Sequence, residues 1–167
     1  VRGDFGTTLL GDRPILPDLW RVMKNTLMLV FVAELLAVLI AVGIGVFAAL
    51  RQYSIFDYSS TAFSFVGLAM PVFWLGLLLI LIFSVKLGWF PTIYDTQLRV
   101  TDWASFYKMI MQMALPVTVL ALFNAAEISR YTRSSMLDNL GQDYVRTARA
   151  KGMGEGTVVL KHVLRNS

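Results

Sequence analysis

Leu27 to Leu50 carries a single charged side chain, Glu34. Phe63 to Val85 is apolar apart from Ser64 and Ser84, and Met109 to Ile128 is apolar apart from Gln112, Thr118, Asn124 and Glu127. A helix that crosses about 30 Å of hydrocarbon needs roughly 20 such residues. Inside lipid the backbone must satisfy its own hydrogen bonds, so the three runs are expected to be helices. The expected fold is all-α, a polytopic membrane helical bundle with spans at 27–50, 63–85 and 109–128. The third run is the most polar, and its side chains need partners within a bundle.

Composition agrees. Hydrophobic residues make up 56% of the 167-residue chain and charged residues 16%, where a soluble domain carries about 25% charge. Cysteine is absent and there is one histidine, His162. That removes a disulfide frame, a thiol nucleophile and a Cys-ligated metal site, and it disfavours a His-based metal centre or catalytic triad. No metal site and no nucleic-acid partner are expected. The first residue is Val1, which suggests an internal stretch of a longer protein.

Charge gives the expected direction. From Arg130 onward there are seven basic residues (Arg130, Arg133, Arg146, Arg149, Lys151, Lys161, Arg165) and three acidic ones (Asp138, Asp143, Glu155), a net +4. That is the net charge of the whole chain, so residues 1–129 sum to zero. The positive-inside rule then places 129–167 in the cytoplasm and 1–26 outside. An external segment with no signal pattern implies an earlier span. Gly88-Trp89-Phe90-Pro91 closes the second run with aromatic residues suited to the headgroup zone. Asp102 to Lys108, and Asp18 to Lys24 before the first span, read as short interfacial helices. Nothing is repeated, and the chain reads as a single domain.

Several residues invite a pathway role, each beside a plainer one. Glu34 lies about 10 Å into the first span. A carboxylate there is costly and marks a polar path, or else a structural hydrogen bond to a neighbouring helix. Pro71 and Pro116 break helical hydrogen bonding. Kinked helices border transport pathways, but ordinary kinks are common too. Phe73 and Trp74 would line a substrate wall or meet lipid and core. Asn124 and Glu127 would form a gate or, as favoured, pair locally with Arg130 or Arg133. Gly43 and Gly45, with Ala41, Ala48 and Ala49, offer small side chains for close helix packing.

The tail is more specific. Helix is expected to continue from Ala125 to Leu140 and stop at Gly141. Asp143 is placed to cap a short helix from Tyr144 to Lys151. Gly152 and Gly154 release the backbone. A last helix from Glu155 presents Val158, Val159, Val163 and Leu164 at helical spacing. Such an element is held out for a cytoplasmic partner or rests on anionic headgroups. Physics alone leaves the two open.

The stretch Asp-Tyr-Val-Arg-Thr-Ala-Arg-Ala-Lys-Gly at 143–152, with Lys-His-Val-Leu-Arg-Asn at 161–166, resembles the Glu-Ala-Ala loop of ABC importer permeases. It does so in the variant of the dipeptide, oligopeptide and nickel branch. The Glu-Ala-Ala slots fall on Arg146, Thr147 and Ala148, and the closing slots on His162, Leu164 and Arg165. Only Ala148, Gly152 and Leu164 match the general pattern. Gly3-Asp4-Phe5-Gly6, Pro71 to Gly76, Leu87 to Pro91 and Tyr131 to Leu137 are similar to other segments of that branch, in the same order. Met23-Lys24 departs from its frequent Leu-Pro.

The resemblance implies a permease that pairs with a second, homologous permease and docks on two ATPase subunits. It also implies an external substrate-binding protein that delivers cargo. Arg146, Thr147, Ala148, Arg149, Ala150, Lys151 and Gly152 would form the docking, or coupling, helix. Arg146, Arg149 and Lys151 would meet acidic residues of the ATPase, and Ala148 and Ala150 would allow close contact. The chain itself is expected to be no enzyme and to bind no cofactor directly, ATP and Mg belonging to the partners. One spanning helix is expected before Val1 and two after Ser167. The rival expectation is a non-transporting membrane-embedded assembly subunit with a lipid-bound basic tail.

Overall fold

The computed structural model describes residues 5–8, 13–96 and 98–167. The Gly3-Asp4 part of the external segment therefore lies outside the described residues. Helices account for nearly all regular structure: α1 (Ile15–Leu50), α2 (Ile55–Ala69), α3 (Val72–Leu79), α4 (Trp103–Leu140) and α5 (Asp143–Ala150). α3 widens into a π-helix over Ile80–Lys86. A final turn, α6 (Glu155–Thr157), widens over Val158–Val163 and tightens at Leu164–Asn166. Thr7 and Pro14 form an isolated antiparallel bridge.

The chain divides into two compact units. One comprises residues 1–33 and 76–118, the other 34–75 and 119–167. α1 and α4 run through both.

In the first unit the loop after the π-helix is fastened by polar contacts. Ser84 donates to the Phe90 carbonyl at 2.6 Å, and the Phe83 and Trp89 rings lie 5.6 Å apart. Gly88 adopts φ +66, a conformation that costs glycine little. Gln112 accepts from the Asp95 amide at 3.0 Å, so one polar side chain of the third run finds its partner in a loop. The expected interfacial helices are not separate elements. α1 is continuous from Ile15, and α4 is continuous from Trp103 to Leu140. At 1.5 Å per residue each exceeds 50 Å, more than the roughly 30 Å of hydrocarbon.

The two prolines behave differently. Pro116 sits inside α4, which continues through it, with the Thr118 hydroxyl donating to the Ala114 carbonyl at 2.7 Å beside it. A neighbouring hydroxyl is one way membrane helices accommodate proline. Pro71 ends α2. The residue before a proline is pushed out of the helical region, and Met70 takes φ −88, ψ 131. The segments 55–69 and 72–86 consequently meet at a bend of 100°. The expected second span, 63–85, is thus a broken helix pair. Among the described residues two helices are long and apolar enough to cross a membrane, or three spans if the bent pair counts as one.

In the second unit α1 and α4 approach through small side chains. Ala37 and Ala41 bury against Ala121 and Ala125. Gly45 continues that row: a Cβ there would sit 2.6 Å from Thr132 Cβ and 2.8 Å from the Ser129 carbonyl oxygen. Gly43, expected on the same face, is exposed and would meet nothing within 4 Å.

Candidate functional site

α5 shows one face and hides the other. Val145 and Ala148, three residues apart, are buried, whereas Tyr144, Arg146, Thr147, Arg149 and Ala150 are exposed. The helix begins at Asp143 with Gln142 in the capping position and no side-chain cap, so Asp143 is not the cap. Its end is a glycine-terminated Schellman motif. Gly152 takes φ +77, its amide donates to the Arg149 carbonyl at 2.9 Å, and the Met153 amide donates to the Ala148 carbonyl at 3.3 Å. Met153 then packs on the buried side. Gly154 has φ −61 and makes no use of a glycine's left-handed freedom.

The buried face joins a core of Ala49, Met136, Val145, Ala148, Val158, Val159 and Val163. This core unites the ends of α1 and α4, α5 and the final helical turns. Two expectations change here. Ala148 faces inward and is unavailable for close contact with another chain. Val158, Val159 and Val163 are covered by the chain itself, with Leu164 half-buried against them, so they form no face for headgroups. Hydrophobic spacing marks an apolar face but not what covers it.

The basic residues of α5 differ. Arg149 donates to Glu155 at 3.1 and 2.6 Å, a hydrogen-bonded pair that holds the Glu155 carboxyl below its ordinary pKa and the Arg149 guanidinium above its own. Arg146 lies 3.6 Å from Asp143, with both side chains largely exposed, so water screens that pair. Thr147, Ala150, Lys151 and Gly152 are exposed. The depressed pKa fixes a sign. The Arg149–Glu155 bond supports the folded loop above the unfolded carboxylate pKa and is lost as pH falls through the folded value. Protection of 149–155 amides from hydrogen exchange is therefore expected to drop on acidification. In Glu155→Gln that pH dependence should vanish, with protection only slightly lower at neutral pH, since water screens an exposed pair.

Sequence reading missed the best-formed polar contact of this unit. Asp57, 2% exposed, accepts from Arg133 Nε at 2.5 Å and Nη2 at 2.8 Å. It also accepts from the Tyr53 amide at 3.0 Å. Tyr53 has φ 63, and Ser54 caps α2 by accepting from the Asp57 amide at 3.2 Å. A non-glycine residue at positive φ is strained and persists only where neighbours hold it. The available signal was Ser54-x-x-Asp57, the capping-box spacing. Arg133 is thereby withdrawn from the expected pairing with Asn124 or Glu127. Breaking a buried pair by removing one partner costs about 3–5 kcal/mol. The partial exposure of Arg133 puts this pair toward the lower end.

Of the candidate pathway residues, two come together. Asn124 donates to Glu34 at 2.8 Å. Glu34 is nevertheless exposed on the chain's own surface, as is Glu127. Arg130 lies over the Tyr131 ring at 5.5 Å. Pro71, Phe73 and Trp74 are exposed, Phe73 by 68% and Trp74 by 46%. Among the described residues no three His, Cys, Asp or Glu side chains are grouped as a metal site requires.

Residues 41–167 match the family described as "Binding-protein-dependent transport system inner membrane component". The chain belongs to this family of inner-membrane transport components. Its matched region contains the α5 core, the Asp57–Arg133 pair and the glycine turn. The oligopeptide transport system permease protein AppB of Bacillus subtilis (strain 168) is 46% identical over 172 residues, covering 100% of this chain and 52% of that protein. The dipeptide transport system permease protein DppB of Alkalihalophilus pseudofirmus is 38% identical over 181 residues, covering 99% of this chain and 54% of that protein. The glutathione transport system permease protein GsiC of Salmonella typhimurium is 38% identical over 167 residues, covering 100% and 51%. The chain thus spans about half the length of the curated relatives it matches. The family is one of transport permeases rather than enzymes.

Proposed function

We propose that the protein containing this chain is a permease subunit of an ATP-driven importer. It moves peptides or a related small solute across the cytoplasmic membrane by alternating access. The observation that carries this reading is the construction of α5: a short helix stopped by a glycine turn, rooted in the core shared with α1 and α4, with its other face open. A helix of that kind passes a push on its outer face to two long apolar helices. Its exposed Arg146, Thr147, Ala150 and Lys151 are the docking surface for an ATPase subunit that binds ATP and Mg. The permease binds neither. Two ATPases, a second permease and an external substrate-binding protein complete the assembly. Residues 129–167 are assigned to the cytoplasm and 1–26 to the outside, an orientation that the basic tail supports.

Glu34 and Asn124 support a polar face of the pathway. An uncovered carboxylate inside an apolar run is too costly to point at lipid, so it faces the route or the partner permease. Pro71, Phe73, Trp74 and Glu127 are assigned to the same open surface. Peptide cargo is favoured by the names of the relatives. The rival reading, a basic tail lying on lipid, has lost its apolar anchor, because Val158, Val159 and Val163 are buried within the chain.

The test keeps the buried face intact. In the full-length protein, Ala150→Trp and Lys151→Glu should leave membrane insertion normal while co-purification of the ATPase and uptake fall about tenfold or more. Gly152→Leu should act likewise, because leucine is strained at φ +77. Unchanged co-purification and uptake in all three variants would sink the docking assignment.

A further inference from the structure

We propose that the Asp57–Arg133 pair is a strut that carries displacement of α5 to the turn joining α1 and α2. Both residues are then positioning residues for transport. The inference rests on the reading of α5 as the docking helix. Its physical basis is an unbroken chain of contacts between these elements. Met136, fully buried, presses on Val145 and Ala148 of α5 within one core. Arg133 is one helical turn earlier on α4, and its guanidinium grips Asp57 with two parallel bonds. Asp57 in turn holds the amide of Tyr53, which is kept at φ 63. A load on α5 therefore has a short chain of contacts to residues 53–57.

A second route runs through packing, since Ala49 at the end of α1 shares the α5 core and Phe47 meets Phe56 edge-on at 4.7 Å, but apolar contacts can slide where a bidentate ion pair cannot. A cleft of about 270 Å³ borders Arg133, Ser129, Ser64 and Gly45. A second, of about 450 Å³, borders Phe56, Ser60, Leu122 and Ala126. Beside them α2 meets α4 through a long hydroxyl contact, Ser64 to Ser129 at 3.3 Å, and the approach of Gly67 to Ala126. The ion pair is the stiffest of these connections. Stiffness comes from the planar guanidinium fork, which a lysine ammonium does not reproduce.

The test uses the complete transporter in liposomes, with its partner permease, ATPases and binding protein. The variants are Asp57→Asn, Arg133→Gln, their double mutant and Arg133→Lys. Subunit co-purification and basal ATP hydrolysis should be retained. Stimulation of hydrolysis by loaded binding protein, and uptake, should fall about tenfold in each single variant, the scale of a typical coupling free energy. The double mutant should be no worse than the poorer single one, as expected for two residues acting as one unit. The strut is overturned if the singles keep stimulation and uptake, if their losses multiply in the double mutant, or if Arg133→Lys no longer co-purifies with the ATPase.

An unmodified complex that shows neither stimulation nor uptake would defeat the docking reading instead. The strut is then decided by hydrogen exchange in the full-length permease. Arg133→Lys should quicken exchange at Tyr53 and in α5 together. Quickening at Tyr53 alone would overturn it.

Discussion

Gly45→Val is expected to lower the thermal stability of the isolated full-length protein far more than Gly43→Val. The reason is the identity of the atoms it meets. A Cβ at Gly45 falls 2.8 Å from the Ser129 carbonyl oxygen and 2.6 Å from Thr132 Cβ. A backbone oxygen cannot rotate aside, so α1 and α4 must separate. Separation also opens the contacts of Ala37 and Ala41 with Ala121 and Ala125. Overpacking commonly costs about 1–3 kcal/mol, occasionally more. A β-branched side chain against backbone belongs at the upper end. Within lipid there is little hydrophobic drive to bring the helices back, since close packing of small residues supplies the attraction. Gly43→Val is the matched control, because a side chain there meets nothing within 4 Å. Retention of the monodisperse peak in detergent after graded heating checks this. Equal loss temperatures for the two variants would remove Gly45 from the packing account.

That pair of glycines shows where sequence stops informing. Both lie in an apolar run in which nearly every side is hydrophobic, so periodicity does not say which side faces α4. Their separation of two residues turns them about 200° apart on a helix, and only packing tells inside from outside. The helical class was legible, because lipid leaves the backbone few options. The bounds of α5 were legible to within a residue, because Gly141 and Gly152 punctuate it. Pro71 was legible as a break, but the size of its bend was not.

The Asp57–Arg133 pair was out of reach for a different reason. Its residues are 76 positions apart, and a local pairing for Arg133 was the natural expectation. The continuation of α4 to Leu140 was legible, but the N-terminal extensions of α1 and α4 were missed because polar flanks resemble interfacial segments, whereas the backbone runs through them unbroken. The inward aim of Ala148 was hidden by a similar ambiguity: alanine is small enough for either face, and Val145 beside it decides the matter only once the core is seen.

Val145→Asp is the second large effect expected, and it separates the root of α5 from its surface. Val145 is fully buried among Met136, Ala148, Val158 and Val163. An aspartate there is an unpaired charge in an apolar site, whose effective penalty is several kcal/mol even after relaxation. Protonation of the new carboxyl would relieve part of that, so the defect should be milder at acid pH. Met136→Ala supplies a graded comparison without charge. Deleting a buried methionine side chain costs about 2–5 kcal/mol, part of it from the cavity left behind. Both variants act on the second unit's terminal core, so α5 and the final helical turns should loosen while the apolar runs remain inserted. Brief trypsin treatment of inside-out membrane vesicles reads this directly, since Arg146, Arg149 and Lys151 become cleavable once the helix frays. Val145→Asp should be cut fastest, Met136→Ala at an intermediate rate, and Lys151→Glu, which alters only the open face, no faster at its remaining sites than the unmodified protein. Equal rates for Val145→Asp and the unmodified protein would mean that α5 is held by something other than this core. The route from α5 into α1 and α4 would then have to be redrawn.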